Sequence, residues 1–378
     1  MSARPFVEAA VRAGYAVTAI DAFADTETAA LAEKSIALAY DRLGFDANAL
    51  MAAINDLDLS HFDGFVYGSG FEAQPELLNK VAAKLPLIGN AAATVAAAKT
   101  PARFFAALQP LNINYPDVTD SLPQGHANDF LLKFSGGSGG SHISAAKSQN
   151  GLLESKYYYQ KKIDGLSVSL LFLANKHDVE IVGFNEQWLS PTVDAPFRYG
   201  GAVSHVMLPD HIKALLSDAA KKLTRKFGLL GLNSLDAIVD AENSQIFVLE
   251  INPRLSATVD LYSTEQQNLI ERHIKACSGN HDLNQKAAHQ LDLKCKAHAI
   301  VYATEDIELS AAILWPDWVV DKPLLNQKAM KILAMDPVCT VLAYADSAAT
   351  AKKLAQSRVE IVENLLQSLN SEKRLEEN

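Results

Sequence analysis

The most constraining feature of this sequence is a hydrophobic run, 246–254, that two polar residues and a proline bring to an end. Glu250 and Asn252 are two residues apart, so on a strand their side chains point to the same face. A second hydrophobic run, 235–240, lies just upstream and carries Asp236. The polar segment between the two runs has the length of a hairpin connection. The sequence therefore predicts a β-hairpin with acidic residues on one face.

The expected pairing of this hairpin brings two carboxylates together. If Asp240 pairs with Ile246, then Asp236 lies directly opposite Glu250, with the two Cβ atoms about 5 Å apart. Carboxylates at that distance repel each other unless one is protonated or a cation lies between them. The amide oxygen of Asn252 completes a set of oxygen ligands that suits Mg²⁺ or Mn²⁺. We therefore predict that Asp236, Glu250 and Asn252 form a divalent-metal site.

Length and composition limit what the rest of the chain can be. A chain of 378 residues is too long for one hydrophobic core, so two or three domains are expected. The net charge of −10 argues against non-specific binding of nucleic acid, which needs a basic surface. The sequence has no secretory leader, no apolar run of about 20 residues and only three scattered cysteines. We therefore expect a cytoplasmic protein without a membrane partner.

Helix and strand patterns alternate over the first 95 residues, which is typical of an α/β layer with a parallel sheet. Helices are predicted near 4–13, 27–39 and 47–56, and strands at 15–20 and 64–67. The glycine fingerprint of dinucleotide-binding domains is absent, which argues against hydride transfer.

A loop of glycine and serine, 136–141, follows a predicted strand that ends in Lys133. Glycines allow a ligand to approach the backbone closely, and successive N–H groups can cradle phosphate oxygens. Lys133 would add a positive charge there. The loop is not a P-loop, because no Gly-Lys-Ser/Thr follows it. A flexible linker remains an alternative, and His142 is interpreted as a bystander.

Two local patterns predict a turn and the ends of a helix. The pair Asp164 and Gly165 is typical of a hairpin turn. The periodicity of 210–227 predicts an amphipathic helix that Asp210 caps and Gly228 ends.

Two loops are predicted to contact a substrate. Gly70 and Glu72 follow a strand of the N-terminal layer, and ligands in such layers bind beyond the carboxyl ends of strands. Arg198 and Tyr199 lie in an aromatic and glycine-containing loop that could bind a carboxylate. An ordinary surface loop explains the second pattern equally well.

In this order the features resemble the ATP-grasp superfamily. The resemblance rests on Lys99 before a helix break, on a Lys-xxx-Gly-x-Gly-Gly-xx-Ile loop that begins at Lys133, on a linker strand that ends near Gln160, and on the Asp…Glu-x-Asn-Pro-Arg hairpin. Within that superfamily, segments 67–72 and 197–201 resemble the group of predicted ATP-dependent carboligases of methylotrophs and methanogens. Related enzymes include the tyramine–glutamate ligase of methanofuran synthesis.

The resemblance implies an α/β fold with α+β lobes, that is, an ATP-grasp fold with an N-terminal Rossmann-like domain and a small C-terminal module. The implied divisions are a pre-ATP-grasp domain, a small lobe with the glycine-rich loop, a large lobe with the metal hairpin, and a C-terminal α+β module: 1–95, 96–165, 166–280 and 281–378. The implied cofactors are ATP and Mg²⁺ or Mn²⁺. A homodimer is also expected, because dimers are common in this superfamily.

The resemblance also implies roles for individual residues. Phosphate contacts would come from two lysines and the glycine loop: Lys99, Lys133, Gly137, Gly139 and Gly140. Adenine contacts would come from the end of the linker strand, where Gln160 replaces a frequent Glu: Gln160, Lys161 and Ile163. The catalytic residues would be Lys133 and Arg254, with Arg254 stabilising the transferred phosphoryl group or the acyl phosphate.

The function implied is an ATP-dependent carboxylate–amine ligase that forms an amide through an acyl phosphate. Its partners would be a small carboxylate and a small amine, for example in a glutamate-type ligation of one-carbon cofactor biosynthesis. The absence of a convincing Ser/His/Asp or Cys/His set agrees with a reaction that needs no protein nucleophile. Two alternatives stay open: an ATP-grasp kinase that phosphorylates a small molecule, and a nucleotide-binding regulator without turnover.

Overall fold

The computed structural model describes residues 2–41, 43–146, 154, 156–240, 242–263, 268–279, 294–309, 313–325 and 330–376. The helices are α1 (Arg4–Arg12), α2 (Thr26–Leu31), α3 (Ala47–Asn55), α4 (Glu76–Ala82), α5 (Ala92–Lys99), α6 (Pro101–Leu108), α7 (Asp210–Phe227), α8 (Leu269–Cys277) and α9 (Ala348–Glu376). Within these ranges, every helix is too short or too polar to cross a membrane.

In the described residues, the strands form one large antiparallel sheet, one smaller antiparallel sheet and four short two-stranded pairs. They are β1 (Thr18–Asp21), β2 (Lys34–Ala37), β3 (Tyr40–Asp41), β4 (Gly44–Phe45), β5 (Phe65–Val66), β6 (Leu87–Ile88), β7 (Val118–Thr119), β8 (Phe130–Phe134), β9 (Ile143–Ala145), β10 (Tyr157–Lys161), β11 (Leu166–Asn175), β12 (Val179–Leu189), β13 (Tyr199–Val203), β14 (Leu230–Asp240), β15 (Gln245–Asn252), β16 (Cys295–Tyr302), β17 (Ile307–Leu309), β18 (Val319–Val320), β19 (Met330–Ile332) and β20 (Pro337–Ala345).

The N-terminal layer contains the parallel pairs β1–β2 and β5–β6 and the short hairpin β3–β4. The predicted helix at 27–39 is wrong, because α2 ends at Leu31 and Lys34–Ala37 form β2. The alanine-rich composition favours a helix locally. Parallel pairing with β1 overrides that preference, because it supplies the backbone of this segment with partners of its own.

The smaller sheet has the strand order β7-β10-β8-β9 and carries Lys133 and the glycine loop. Its strand β10 does not form a hairpin with β11, so the hairpin prediction at Asp164 and Gly165 is wrong. These residues instead lead from the smaller sheet into the eight-stranded sheet. A turn signal reports a local change of direction and carries no information about which sheet the next strand joins.

The large sheet has the order β15-β14-β11-β12-β13-β16-β20-β18. Helix α7 packs on one face, where Ile212, Leu216 and Leu223 join the buried core. Helix α8 and the segment that follows β15 cover part of the other face. Residue Asp210 does not cap α7, because the N-cap is Pro209 and no side chain makes a capping bond.

The C-terminal strands β16, β18 and β20 extend the large sheet, and α9 packs against β16 and β20. The predicted division between residues 95 and 96 falls inside α5, and that between 280 and 281 lies at the edge of a segment outside the described residues. The four domain limits stay a prediction.

Candidate functional site

The site is built around the β14–β15 hairpin, which has a register shift. Asp240 pairs with Gln245, not with Ile246 as predicted, and the pairing changes after Ala237 and Val248. The shift leaves Leu249 as an extra residue, so that Asp236 still lies opposite Glu250. A β-bulge of this kind re-aims the residues beyond it and is frequent beside active sites.

The amine of Lys99 lies among the polar side chains of this hairpin. Lys99 is the last residue of α5, and its Nζ donates to Glu250 Oε2 at 2.8 Å and to Asn252 Oδ1 at 2.7 Å. The amide Nδ2 of Asn252 in turn donates to Asp236 Oδ2 at 2.8 Å. The three predicted metal ligands and one predicted phosphate contact therefore form one hydrogen-bonded group.

The two carboxylates of the hairpin have opposite pKa shifts. Burial raises the pKa of Asp236, and the neighbouring charge of Glu250 raises it further. Burial would also raise the pKa of Glu250, but the positive charge of Lys99 outweighs it and lowers that pKa. Lys99 thus balances the charge of Glu250, whereas Asp236 bonds to the neutral amide of Asn252, and a bound cation would favour the charged form of Asp236.

The donor chemistry of the hairpin fits Mg²⁺ or Mn²⁺. Asp236, Glu250 and Asn252 offer carboxylate and amide oxygens, which hard divalent cations prefer. The described residues contain no group of three or more His, Cys, Asp or Glu side chains that could hold a metal ion. The predicted set contains only two such side chains, Asp236 and Glu250, beside the amide of Asn252. The metal role of these three residues stays a prediction.

Lys133 is a buried cation that bonds to no anionic side chain among the described residues. It lies in β8 and is 7% exposed. Within the described part of the chain, no hydrogen bond or ion pair engages its Nζ. Burial lowers the pKa of Lys133 to about 8, with Lys99 acting in the same direction and Glu250 against it. A buried ammonium in this condition is stabilised by an anionic ligand.

Arg254 follows the hairpin and is held on three sides. Its Nε donates to Glu72 Oε1 at 2.8 Å, its Nη1 to the carbonyl of Leu255 at 3.2 Å, and its Nη2 to Asn252 Oδ1 at 3.2 Å. These bonds use three of the five N–H groups of the guanidinium. Two N–H groups therefore remain for a ligand.

The glycine loop joins β8 to β9 and contacts the backbone of Phe197 and Tyr199. The carbonyl of Gly139 accepts from the backbone N–H of Tyr199 at 2.9 Å. A Cβ at Gly140 would lie 1.9 Å from the carbonyl oxygen of Phe197, and Gly140 has φ +75°. Only glycine fits this position, because it combines a left-handed backbone with a close backbone contact. A Cβ at Gly137 would collide with the ring of His142.

The predicted adenine contacts lie at the end of β10 and just beyond it. Gln160 is 1% exposed, and its Nε2 has no hydrogen-bond partner among the described residues. Lys161 is exposed, with its backbone N–H bonded to Asp117 O and its Nζ 3.4 Å from Asp117 Oδ2. Ile163 is partly buried in the connection to β11.

The predicted substrate residues are found in two places. Glu72 and Gly70 belong to the hydrogen-bonded group around Arg254. The guanidinium of Arg198 instead bonds to the carbonyl and hydroxyl of Ser190 and lies 3.7 Å from the centroid of the Tyr302 ring. The hydroxyl of Tyr199 lies 2.8 Å from His298 Nε2. Gly70 and Glu72 are therefore part of the hairpin site. Arg198 and Tyr199 instead bond to Ser190, which follows β12, and to residues of β16.

Sequence reasoning missed two residues of this region. Gln187 Nε2 donates to Asp236 Oδ1 at 3.3 Å. Asn90 Nδ2 donates to the carbonyl of Pro253 at 3.0 Å and to Asn233 Oδ1 at 2.9 Å, which ties the N-terminal layer to the end of the hairpin. A signal existed for Gln187, because it alternates with Asn185 inside a mostly apolar strand. Asn90 stands in a loop with no such pattern.

Comparison with known proteins supports the ATP-grasp fold that the sequence resemblance implies. The family model of an ATP-grasp domain matches residues 100–258, which include most residues of the hairpin site. A search of curated protein sequences finds no significant match.

Solved structures of similar fold cover nearly the whole chain. The biotin carboxylase from Campylobacter jejuni is 15% identical with a TM-score of 0.67, over 92% of this chain and 86% of that one. The L-amino acid ligase from Bacillus licheniformis is 15% identical with a TM-score of 0.66, over 93% of both chains. The biotin carboxylase domain of 2-oxoglutarate carboxylase from Hydrogenobacter thermophilus is 12% identical with a TM-score of 0.68, over 90% and 83%.

The family match and the solved structures agree on the fold. The chain has an α/β ATP-grasp fold, and the fold prediction is confirmed. Identities of 12% to 15% show the fold alone. Membership of the carboligase group and the identity of the substrates are therefore matters of proposal.

Proposed function

We propose that the protein is an ATP-dependent carboxylate–amine ligase that forms an amide through an acyl phosphate. The observation that carries the proposal is the buried, unmatched ammonium of Lys133 beside a hairpin that pairs two carboxylates. An anion that brings its own divalent cation satisfies both, and a nucleoside triphosphate with Mg²⁺ is such a ligand.

The nucleotide would lie between the smaller sheet and the hairpin. Lys99 and Lys133 would contact its phosphates, and Gly137, Gly139 and Gly140 would close over them. The base would lie at the end of β10, where the orphaned Nε2 of Gln160 offers a donor to a ring nitrogen. Lys161 and Ile163 would contribute backbone groups there.

The divalent cation would be held by Asp236, Glu250 and Asn252. When bound, it would neutralise charge on the phosphoryl group during transfer. The H. thermophilus domain is a dimer in complex with MgADP and bicarbonate, which supports this proposal by fold analogy. The same dimer supports a homodimer here.

Arg254 and Lys133 would be the catalytic residues of this chain. The substrate carboxylate attacks the γ-phosphorus, the bond to ADP breaks, and an acyl phosphate forms. The two remaining N–H groups of Arg254 would stabilise the transferred phosphoryl group. Attack by the amine then expels phosphate and leaves the amide. The glycine loop, which touches Phe197 and Tyr199 in this structure, excludes water that would hydrolyse the acyl phosphate.

The finer proposal is a glutamate-type amino-acid ligation in one-carbon cofactor biosynthesis. It rests on the sequence resemblance to the carboligase group and on the fold shared with an L-amino acid ligase. Arg198 and Tyr199, beside the tip of the glycine loop, would contribute to the substrate pocket together with Gly70 and Glu72.

Hydroxylamine trapping tests the proposal. The purified protein is incubated with MgATP, hydroxylamine and a panel of amino acids and dicarboxylic acids, and hydroxamate and ADP are measured. We expect hydroxamate to form with one class of acid, in an amount equal to the ADP that is formed. ADP formation without hydroxamate for any acid would contradict a ligase and indicate a kinase. The control variant is Glu242→Gln, an exposed acid of the same hairpin, which should behave as wild type.

A further inference from the structure

A buried ion pair joins the N-terminal layer to the end of the hairpin site. Glu72 Oε1 accepts from Arg254 Nε at 2.8 Å, and the two side chains are 2% and 5% exposed. The residues are 182 positions apart in the chain. Such a pair is costly to desolvate, and losing one partner strands the other charge in the interior.

The other oxygen of Glu72 is held by its own loop. Oε2 accepts from the backbone N–H of Gly70 at 2.7 Å and from that of Phe71 at 3.1 Å. Burial would raise the pKa of Glu72, but Arg254 and Lys99 outweigh burial and lower it. The carboxylate is therefore charged and fixed at both oxygens.

Both oxygens of Glu72 are bonded within the protein, so Glu72 would shape the proposed substrate pocket by holding Arg254 and not by binding the substrate itself. Resting on the proposed function, we propose that Glu72 is the positioning residue of Arg254. Its carboxylate holds the Nε edge of the guanidinium and so fixes where the two remaining N–H groups point. The N-terminal layer thereby supplies the orientation of the residue that stabilises the transferred phosphoryl group.

The competing partners of Arg254 explain why a fixed carboxylate is needed there. The charges of Glu250 and Asp236 also act on Arg254, after that of Glu72. Without Glu72, a buried guanidinium with an unpaired Nε would turn toward the hairpin carboxylates. It would then occupy the ligands of the divalent cation. Glu72 therefore limits the contact of Arg254 with the proposed metal ligands to the bond from Nη2 to Asn252 Oδ1.

The same loop also supports the base of the glycine loop. A Cβ at Gly136 would lie 2.6 Å from the carbonyl oxygen of Glu72 and 2.7 Å from the backbone nitrogen of Ala73. Gly136 also has φ +78°, so no other residue fits without strain. Because one loop touches both the arginine and the glycine loop, its docking sets the position of both.

The test compares Glu72→Gln and Glu72→Asp with the matched control Glu8→Gln. Glu8 forms an ion pair with the buried Arg4, away from the hairpin. For Glu72→Gln we expect kcat to fall about 10- to 100-fold and the Mg²⁺ requirement to rise, with the Kd for nucleotide alone within about twofold of wild type. Glu72→Asp, which keeps the charge, should recover part of kcat, and Glu8→Gln should retain it.

A spectroscopic readout keeps the inference separate from the proposed function. The Nε–H of Arg254 should give a slowly exchanging NMR signal that Arg254→Lys identifies by removing it. Glu72→Gln should shift this signal and speed its exchange, whether or not the protein is a ligase. An unchanged signal would overturn the positioning role, as would a Glu72→Gln enzyme with normal kcat and Mg²⁺ requirement.

If wild type forms no acid-dependent ADP, the proposed function fails, and the NMR comparison still decides the role of Glu72. If Glu72→Gln does not fold, retention of the signal in Glu72→Asp supports the inference and its loss contradicts it.

Discussion

Arg4 and Lys133 are both buried cations, but their charges are paired in different ways. Arg4 bonds to Asp321 at 2.7 Å, to Asp260 at 2.9 Å and to Glu8 at 3.1 Å, so each side of its guanidinium has a carboxylate. Asp260 also pairs with Lys296 at 2.9 Å. Lys133 has no such partner within the described residues. The charge of Arg4 is therefore paired within the protein, whereas the charge of Lys133 would be paired by an anionic ligand.

The pKa shift of Asp260 in the first group favours its charged form, whereas those of Lys133 and Asp236 in the second favour their neutral forms. Burial would raise the pKa of Asp260, but Arg4 and Lys296 outweigh it and bring that pKa far below its usual range. In the hairpin site, burial lowers the pKa of Lys133 to about 8 and raises that of Asp236. The fold therefore stabilises the charged form of Asp260 in the first group. In the second it destabilises the charged forms of Lys133 and Asp236, while Lys99 stabilises that of Glu250. A group whose charges are paired within the protein stabilises the packing of its elements. A buried charge without a bonded partner is typical of a ligand-binding site.

Removing a hairpin carboxylate should have the largest effect on turnover. Glu250→Gln takes away a proposed metal ligand and should lower acid-dependent ADP formation about 10³-fold, while the melting temperature stays near that of wild type. Steady-state kinetics and thermal unfolding of Glu250→Gln, beside the exposed control Glu242→Gln, measure both. ADP formation at the wild-type rate would remove the hairpin from the mechanism.

Removing Arg4 should instead break the matched group. Arg4→Met leaves Asp260 and Asp321 without the arginine and should cost about 3–5 kcal/mol of the free energy of unfolding. Turnover per folded molecule should stay near wild type, because Arg4 bonds to none of the hairpin residues. Denaturant unfolding with Arg12→Met as control provides the measurement. A stable but inactive Arg4→Met protein would show that the two groups are not separate.

The pH dependence of nucleotide affinity should report on Lys133. The free protein carries the charged ammonium below about pH 8 and loses it above. We therefore expect the Kd for MgATP to rise between pH 8 and pH 10, by up to about tenfold per unit at constant ionic strength. Lys133→Arg should be flat over this range, because a guanidinium keeps its proton. Equal pH profiles for the two proteins would place the titration elsewhere.

Removing an exposed lysine beside the site should have the smallest effect. Lys161 is half-exposed and 3.4 Å from the exposed Asp117, and such surface pairs contribute little. Lys161→Ala should leave the MgATP affinity within about twofold of wild type, since its proposed adenine contact is through the backbone. Titration of MgATP measures this, and a loss of tenfold or more would show that the side chain itself contacts the nucleotide.

Local sequence patterns were sufficient for the hairpin, whereas Lys99 and Arg254 were singled out only by the resemblance to the ATP-grasp superfamily. Asp236 and Glu250 were expected to face each other, and they do, although the assumed pairing of Asp240 was wrong by one residue. The bulge at Leu249 corrects the register between the turn and the site. Bulges are hard to anticipate, because they depend on packing against neighbouring strands rather than on the strand's own pattern.

Contacts between distant segments could not be predicted from pattern. The pairing of Glu72 with Arg254 and of Gln187 with Asp236 depends on how the N-terminal layer and β12 dock against the hairpin. Likewise, β2 forms where composition favours a helix, because β1 lies beside it. Hydrophobic periodicity reports which face of an element is buried, and it does not report which distant polar group lies opposite.

Titration of MgATP into wild type and Lys133→Met, with Lys226→Met as an exposed control, tests the central claim most directly. The claim is that the unmatched charges of the hairpin site bind a nucleotide with its metal. It predicts measurable binding by wild type and by Lys226→Met, and affinity lower by about 100-fold for Lys133→Met. Lys133→Met without ligand should unfold at the same or a higher temperature, because its buried unpaired charge is gone. Equal affinity of Lys133→Met and wild type for MgATP would contradict the claim.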